Sequence, residues 1–144
     1  MNRLASALLV LFAASAAAGC RTHPCGDRSA ELPASFGGAP VLADDGKICD
    51  ADGDRVTAMY WGDKTQMSKI ITATLVKMDG AGWAQYESTD QYAPRRDPQR
   101  PHYTFRKGDQ EIGMTFSMGQ TPRFGAKLPA DSITLHLSHH VLKR

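Results

Sequence analysis

The sequence predicts an α+β fold, a mainly antiparallel sheet of about five strands with one amphipathic helix packed on one face. Three observations carry that expectation. Residues 64–79 place Met67, Ile70, Ile71, Thr74, Leu75 and Met78 on one stripe at helical spacing, with Lys64, Lys69 and Lys77 off it. On either side of that segment the apolar period falls to two, as in half-buried strands. Between two of the alternating runs stands Lys107-Gly108-Asp109-Gln110, whose Gly-Asp pair suits a tight primed hairpin turn. A helix with one apolar stripe must bury it, and a sheet is its natural partner. A helix lying on a membrane surface is the alternative for such a stripe.

The chain opens with Arg3, an apolar run over residues 4–18, then Gly19 and Cys20. A cationic start, an apolar segment and small residues mark a secretory signal that is removed rather than folded. The run is too short for a membrane-spanning helix, which needs about 20 residues. Cleavage after Ala16-Ala17-Ala18 releases a soluble secreted protein. Cleavage before Cys20 leaves a cysteine at the new N-terminus, and residues 17–20, Ala-Ala-Gly-Cys, resemble the lipobox of bacterial lipoproteins, in which that cysteine carries lipid. The three cysteines, Cys20, Cys25 and Cys49, are an odd number for an exported chain. Lipid on Cys20 leaves Cys25 and Cys49 as one disulfide in an oxidising compartment. The expected organisation is a signal peptide over residues 1–19, a lipid anchor and short tether over 20–35, and a single domain over 36–144.

Residues 21–35 are polar, carry two prolines and lack an apolar period, so they read as an irregular tether. A Cys25–Cys49 bond closes a loop of about 25 residues and stabilises the domain by roughly 3–4 kcal/mol. Residues 39–43 form a short apolar run before the Asp44-Asp45-Gly46 turn, and Pro40 allows a strand there only at a sheet edge. Asp50, Asp52 and Asp54 alternate like the start of a calcium loop. The sixth and twelfth positions of that loop would fall on Arg55 and Trp61 where glycine and glutamate are required, so the aspartates read as a solvated turn. Val56, Ala58 and Tyr60 then mark a strand over 54–61. Asp63 or Thr65 caps the helix and Gly80 stops it. Strands follow from Trp83 to Tyr86, around Tyr103 and Phe105, and through Ile112, Met114, Phe116 and Met118. The last alternates Ile133, Leu135 and Leu137 against Thr134, His136 and Ser138. One sheet face takes the helix and the other is left wet or available to a partner.

Removing residues 1–19 takes the net charge from +2 to +1. A nucleic-acid partner needs a concentrated positive surface, which this balance does not supply. The 42% hydrophobic and 22% charged content is that of an ordinary globular chain, so disorder is confined to the ends. The layout of lipobox, short tether, Phe36-x-x-Ala39-Pro40, strand, amphipathic helix, Gly82-Trp83 and a polar-turned meander resembles small uncharacterised bacterial lipoproteins. That resemblance brings no activity or site residues. It implies an envelope address, and for a diderm host the outer membrane facing the periplasm, because Arg21 rather than aspartate follows Cys20.

Two constellations bear on function. His136, His139 and His140 are the candidate metal ligands, since imidazole is a common ligand, but a zinc or copper site needs three or four converging groups. Arg95, Arg96 and Arg100, with Tyr92 and Tyr103 near in sequence, suit an acidic protein, glycan or lipid head group. Both sets also read as ordinary solvated surface. Ser117, Ser132 and Ser138 share the chain with His136 and Asp131, yet none sits in a nucleophile elbow, and no glycine-rich phosphate loop precedes the helix. The expectation is therefore a lipid-anchored, non-catalytic envelope protein acting as a binding or structural module. It needs no cofactor, reaches the membrane through its N-terminal lipid, and has an envelope protein or glycan as partner. A metal-binding protein using the C-terminal histidines is the alternative, and a small envelope hydrolase comes third.

Overall fold

The computed structural model describes residues 22–86, 100–119 and 129–143. The segment expected as a signal peptide, Cys20, Arg95 and Arg96 lie outside these residues. Among the described residues six strands form one antiparallel sheet, one more than the sequence predicts. They are β1 (Lys47–Asp52), β2 (Arg55–Trp61), β3 (Ala84–Tyr86), β4 (His102–Lys107), β5 (Gln110–Met118) and β6 (Ser132–Val141), in spatial order β1-β2-β6-β5-β4-β3. The helix α1 (Lys64–Gly80) joins β2 to β3 at the far edge. The chain thus crosses the sheet once and returns strand by strand until β6 closes against β2.

Local chemistry sets the boundaries. The Gln66 amide donates to Asp63 Oδ1 at 2.9 Å, capping α1 as expected. The helix ends at Gly80, and Gly82 takes the positive φ of 80° that turns the chain into β3. Met67, Ile70, Ile71, Thr74 and Met78 are buried, with Leu75 packed at the margin. The Thr74 hydroxyl donates to the Ile70 carbonyl at 2.9 Å, which satisfies the one polar group on the stripe. Both hairpins use Gly-Asp. Lys107 pairs with Gln110 around Gly108 at φ 63°, and Asp52 pairs with Arg55 around Gly53 at φ 59°.

That second hairpin corrects the reading of the acidic segment. Asp50 and Asp52 belong to edge strand β1 rather than to a solvated turn. Residues 39–43, expected as the edge strand, are irregular: Ala39, Val41 and Ala43 are buried in the core instead. Ala30 and Leu32 pack against the same core, and the Ala30 amide donates to the Ile48 carbonyl at 3.0 Å. The expected tether is thus fastened to the domain well before residue 36.

One face of the sheet carries the alternate residues Val56, Ala58 and Tyr60 of β2, Phe105 of β4, Ile112, Met114 and Phe116 of β5, and Ile133, Leu135 and Leu137 of β6. The stripe of α1 and the 30–43 segment, with Phe36 fully buried, share this core. Lys77 Nζ reaches Asp44 Oδ1 at 2.8 Å and ties segment to helix. Gly46 lets the chain pass Tyr60, because a Cβ there would stand 2.6 Å from the ring's Cζ. The Ala43 amide donates to the Tyr60 oxygen at 3.2 Å, and burial pushes that phenol up to about 12. No helix among the described residues is long and apolar enough to cross a membrane.

Candidate functional site

The strict alternation that builds the core sends the other half of each strand to the helix-free face, and there the residues are polar. Strand register aligns His102 of β4, Thr115 of β5, His136 of β6 and Thr57 of β2 in one row across the sheet. His102 Nδ1 and Thr115 Oγ1 are 2.7 Å apart, and Thr104 Oγ1 lies 3.3 Å from His102 Nε2. His136 Nδ1 stands 3.4 Å from Thr57 Oγ1 at the other end of the row. Partial desolvation holds His102 below the ordinary imidazole value, against the opposing pull of Glu111. It is therefore neutral at pH 7, with one ring nitrogen donating and the other accepting.

The next row runs from Thr104 through Gly113 and Ser138 to Arg55. Gly113 has no side chain to fill its place. A Cβ there would stand 2.8 Å from Ser138 Oγ and 3.5 Å from His102 Cε1. Ser138 Oγ and His102 take up that place, and beside it lies a shallow depression of about 220 Å³, open to solvent and lined by Arg55, Gly113, Thr115, His136 and Ser138 with Val56 and Leu137. Arg55 is exposed and its guanidinium forms no ion pair among the described residues. One row further on, Arg106 Nε donates to Glu111 Oε2 at 2.7 Å, and its guanidinium lies 3.6 Å from the centre of the Tyr86 ring.

The N-terminal segment enters on this same face. Cys25 and Cys49 form the expected disulfide, with Cα atoms 5.5 Å apart, and pack against Met59. Met59 and Trp61 belong to the alternate set of β2 that faces away from the helix. Trp61 Nε1 donates to the Thr22 carbonyl at 3.1 Å, so residues 22–25 form a strap bound at both ends to the helix-free side.

The three candidate metal ligands are not brought together. His139 lies on the core face, buried, with its ring centre 5.5 Å from that of Phe36 and a short hydrogen bond from Nε2 to Gln110 Oε1. His136 and His140 lie on the other face, four residues apart along a strand, a rise of roughly 13 Å. Among the described residues no three His, Cys, Asp or Glu side chains are grouped to hold a metal. The sequence expectation failed at His139 because strand alternation separates neighbours that a linear motif joins. Of the three loop arginines only Arg100 is described, exposed just before β4. Ser132 Oγ donates to the Pro129 carbonyl at 2.7 Å, and Ser117 is buried, so neither is presented as a nucleophile.

Arg55, His102, Gly113 and Thr115 were not singled out by sequence. Their signal was the polar half of each alternating strand, as in His102-Tyr103-Thr104-Phe105, but only the register shows which of those residues meet. No family model, curated protein or solved structure matches this chain.

Proposed function

We propose that this chain is a lipid-anchored, non-catalytic module of the cell envelope that recognises an envelope protein or glycan with the helix-free face of its sheet. The anchor is the lipid on Cys20, and in a diderm host the address is the periplasmic side of the outer membrane. The observation that carries this reading is the strap. Its residues Thr22 and Cys25 are held by Trp61 and Cys49 on the polar face. Cys20 lies two residues before Thr22, a reach of about 7 Å even fully extended. The lipid therefore emerges beside the polar face, and that face rather than α1 is turned towards the headgroups and whatever lies among them. A membrane-proximal place for the 44–54 segment accords with Cys49, which the disulfide ties to the strap. Recognition suits the depression better than catalysis does, because a site open to solvent has no means of excluding water from a reaction.

Intact-mass spectrometry of the membrane fraction tests the anchor, with a diacylated or triacylated cysteine expected at residue 20. The lipidated chain in vesicles carrying a paramagnetic headgroup tests the orientation. Amides of Thr57, Thr115 and His136 should broaden more than those of Ser68, Thr72 and Val76 on the outer side of α1. The reverse order would overturn the assignment of faces.

A further inference from the structure

We infer that residues 22–24 form a proton-operated latch on the helix-free face, closed while the His23 imidazole is neutral and opened when it takes up a proton. The latch belongs to the strap itself, so it goes beyond the reading of the envelope module and does not require lipid on Cys20. Three hydrogen bonds fasten the strap besides its disulfide. Trp61 Nε1 donates to the Thr22 carbonyl at 3.1 Å, the Cys25 amide to His23 Nδ1 at 3.2 Å, and Lys47 Nζ to the Gly26 carbonyl at 3.4 Å. The Gly26 amide donates to the His23 carbonyl at 2.7 Å and closes the turn that holds the ring under the Cys25 amide. Nδ1 accepts only while it carries no hydrogen, so the neutral ring is the Nε2–H tautomer. That Nε2 is buried and has no hydrogen-bond partner among the described residues.

A proton on Nδ1 turns the acceptor of the Cys25 amide into a second donor aimed at it. The cation so formed sits where burial disfavours charge and beside Lys47. These two causes, in that order, hold the ring below the ordinary imidazole value, against the pull of the Asp45 and Met59 carbonyls that face it. The elements around the ring bring other charges: Asp27 and Arg28 in the turn, Asp44 and Asp45 before β1, and Asp50 in β1. Among the described residues Lys47 alone acts on the ring by its charge, and β2 presents the uncharged Met59 and Trp61. Asp27, Asp44 and Asp45 are exposed, and Asp44 is engaged by Lys77. A released ring titrates at 6.5 and the latched ring lower, so the latch is at full strength above pH 6.5 and weakens as pH falls towards the folded value. Across that window the ratio of open to closed strap rises by up to about tenfold per pH unit. The disulfide keeps Cys25 in place, so three residues come away, a reach of about 10 Å. Trp61 loses the Thr22 carbonyl, and a domain lipidated at Cys20 gains that distance from its anchor.

The test is a pH titration of the ¹⁵N-labelled full chain in a non-ionic detergent, read at the His23 ring, the Cys25 amide and the Trp61 indole, with a soluble paramagnetic chelate to report exposure. The Cys25 and Trp61 resonances should move with the His23 midpoint, which lies below 6.5, and chelate broadening should grow at Trp61 but not at the buried Trp83. His23→Asn offers the Cys25 amide an oxygen that takes up no proton in this range, as in an Asx turn, and should keep the strap closed with the pH response lost. His23→Ala should leave it open at every pH. Lys47→Gln removes the like charge and should raise the midpoint. His102 on β4 is also held below the ordinary imidazole value, so His102→Gln is the control and should leave the Trp61 response unchanged. Intact mass confirms the disulfide in each variant. A Trp61 response that persists in His23→Asn or vanishes in His102→Gln would overturn the latch, as would an indole that stays covered in the unaltered chain while His23 becomes charged. No arm uses a lipid surface or a partner, so failure here removes the latch and leaves the reading of the face to the orientation experiment.

Discussion

The two faces of this sheet are made by the same strands and differ in what their residues are asked to do. On one, Val56, Ala58, Tyr60, Phe105, Ile112, Met114, Phe116, Ile133, Leu135 and Leu137 join α1 and the 30–43 segment in a single apolar core. On the other, Thr57, His102, Thr104, Thr115, His136 and Ser138 form a polar row structure over a dent at Gly113. The apolar core lies on the first and the polar side chains on the second. The strap is the exception that joins them, because its disulfide and Met59 place a small apolar cluster on the polar side. The helix-free face is therefore fixed at one end, where residues 22–25 are held against it.

Substitutions that separate the faces should differ most. Phe105→Ala removes a fully buried ring from between β3 and β5 and should cost about 3–5 kcal/mol in urea unfolding. Thr104→Ala, its neighbour on the opposite face, should cost under about 1 kcal/mol. Equal losses would mean that the polar face also carries the fold. Replacing Cys25 and Cys49 together by serine should lower stability by about 3 kcal/mol and expose Met59, read as a fall in the denaturant midpoint and faster proteolysis after residue 22.

Alkaline titration sharpens the same contrast. Tyr60 has its folded value raised to about 12 by burial, so its contribution is complete below the unfolded value near 10 and is lost as pH rises through the folded one. Unfolding free energy should drop by about 2–3 kcal/mol over that window. Tyr60→Phe should abolish the step. A small effect is expected at the helix start, where Asp63→Ala removes the acceptor for the Gln66 amide and should cost about 1 kcal/mol without altering any residue of the polar face.

Much of the core face was legible in the sequence. The stripe of α1, its Asp63 cap, the Gly108-Asp109 hairpin and the alternation of the last two strands each follow from local chemistry, and each appears where expected. The Gly53-Asp54 turn obeys the same rule as Gly108-Asp109, but the run of aspartates around it drew attention to metal chemistry and concealed β1. The 30–43 segment was opaque for a different reason: an irregular stretch has no period, so burial of Phe36 and Val41 depends on partners far along the chain. Register is the deepest limit. That His102 and His136 flank Thr115, while His139 turns away to Phe36, is a matter of pairing between strands and not of spacing within one. Cysteine parity did anticipate the disulfide that fixes the strap.

Site-specific photocrosslinking in intact cells tests the central claim, that the helix-free face is the working face, most directly. A photoreactive residue would replace Thr104 or Tyr86 on that face, and Thr72 or Lys69 on the outer side of α1, in the full-length chain. The account predicts adducts to envelope protein, glycan or lipid from the Thr104 and Tyr86 positions and far fewer from the helix. Adducts forming mainly from Thr72 and Lys69 would contradict it.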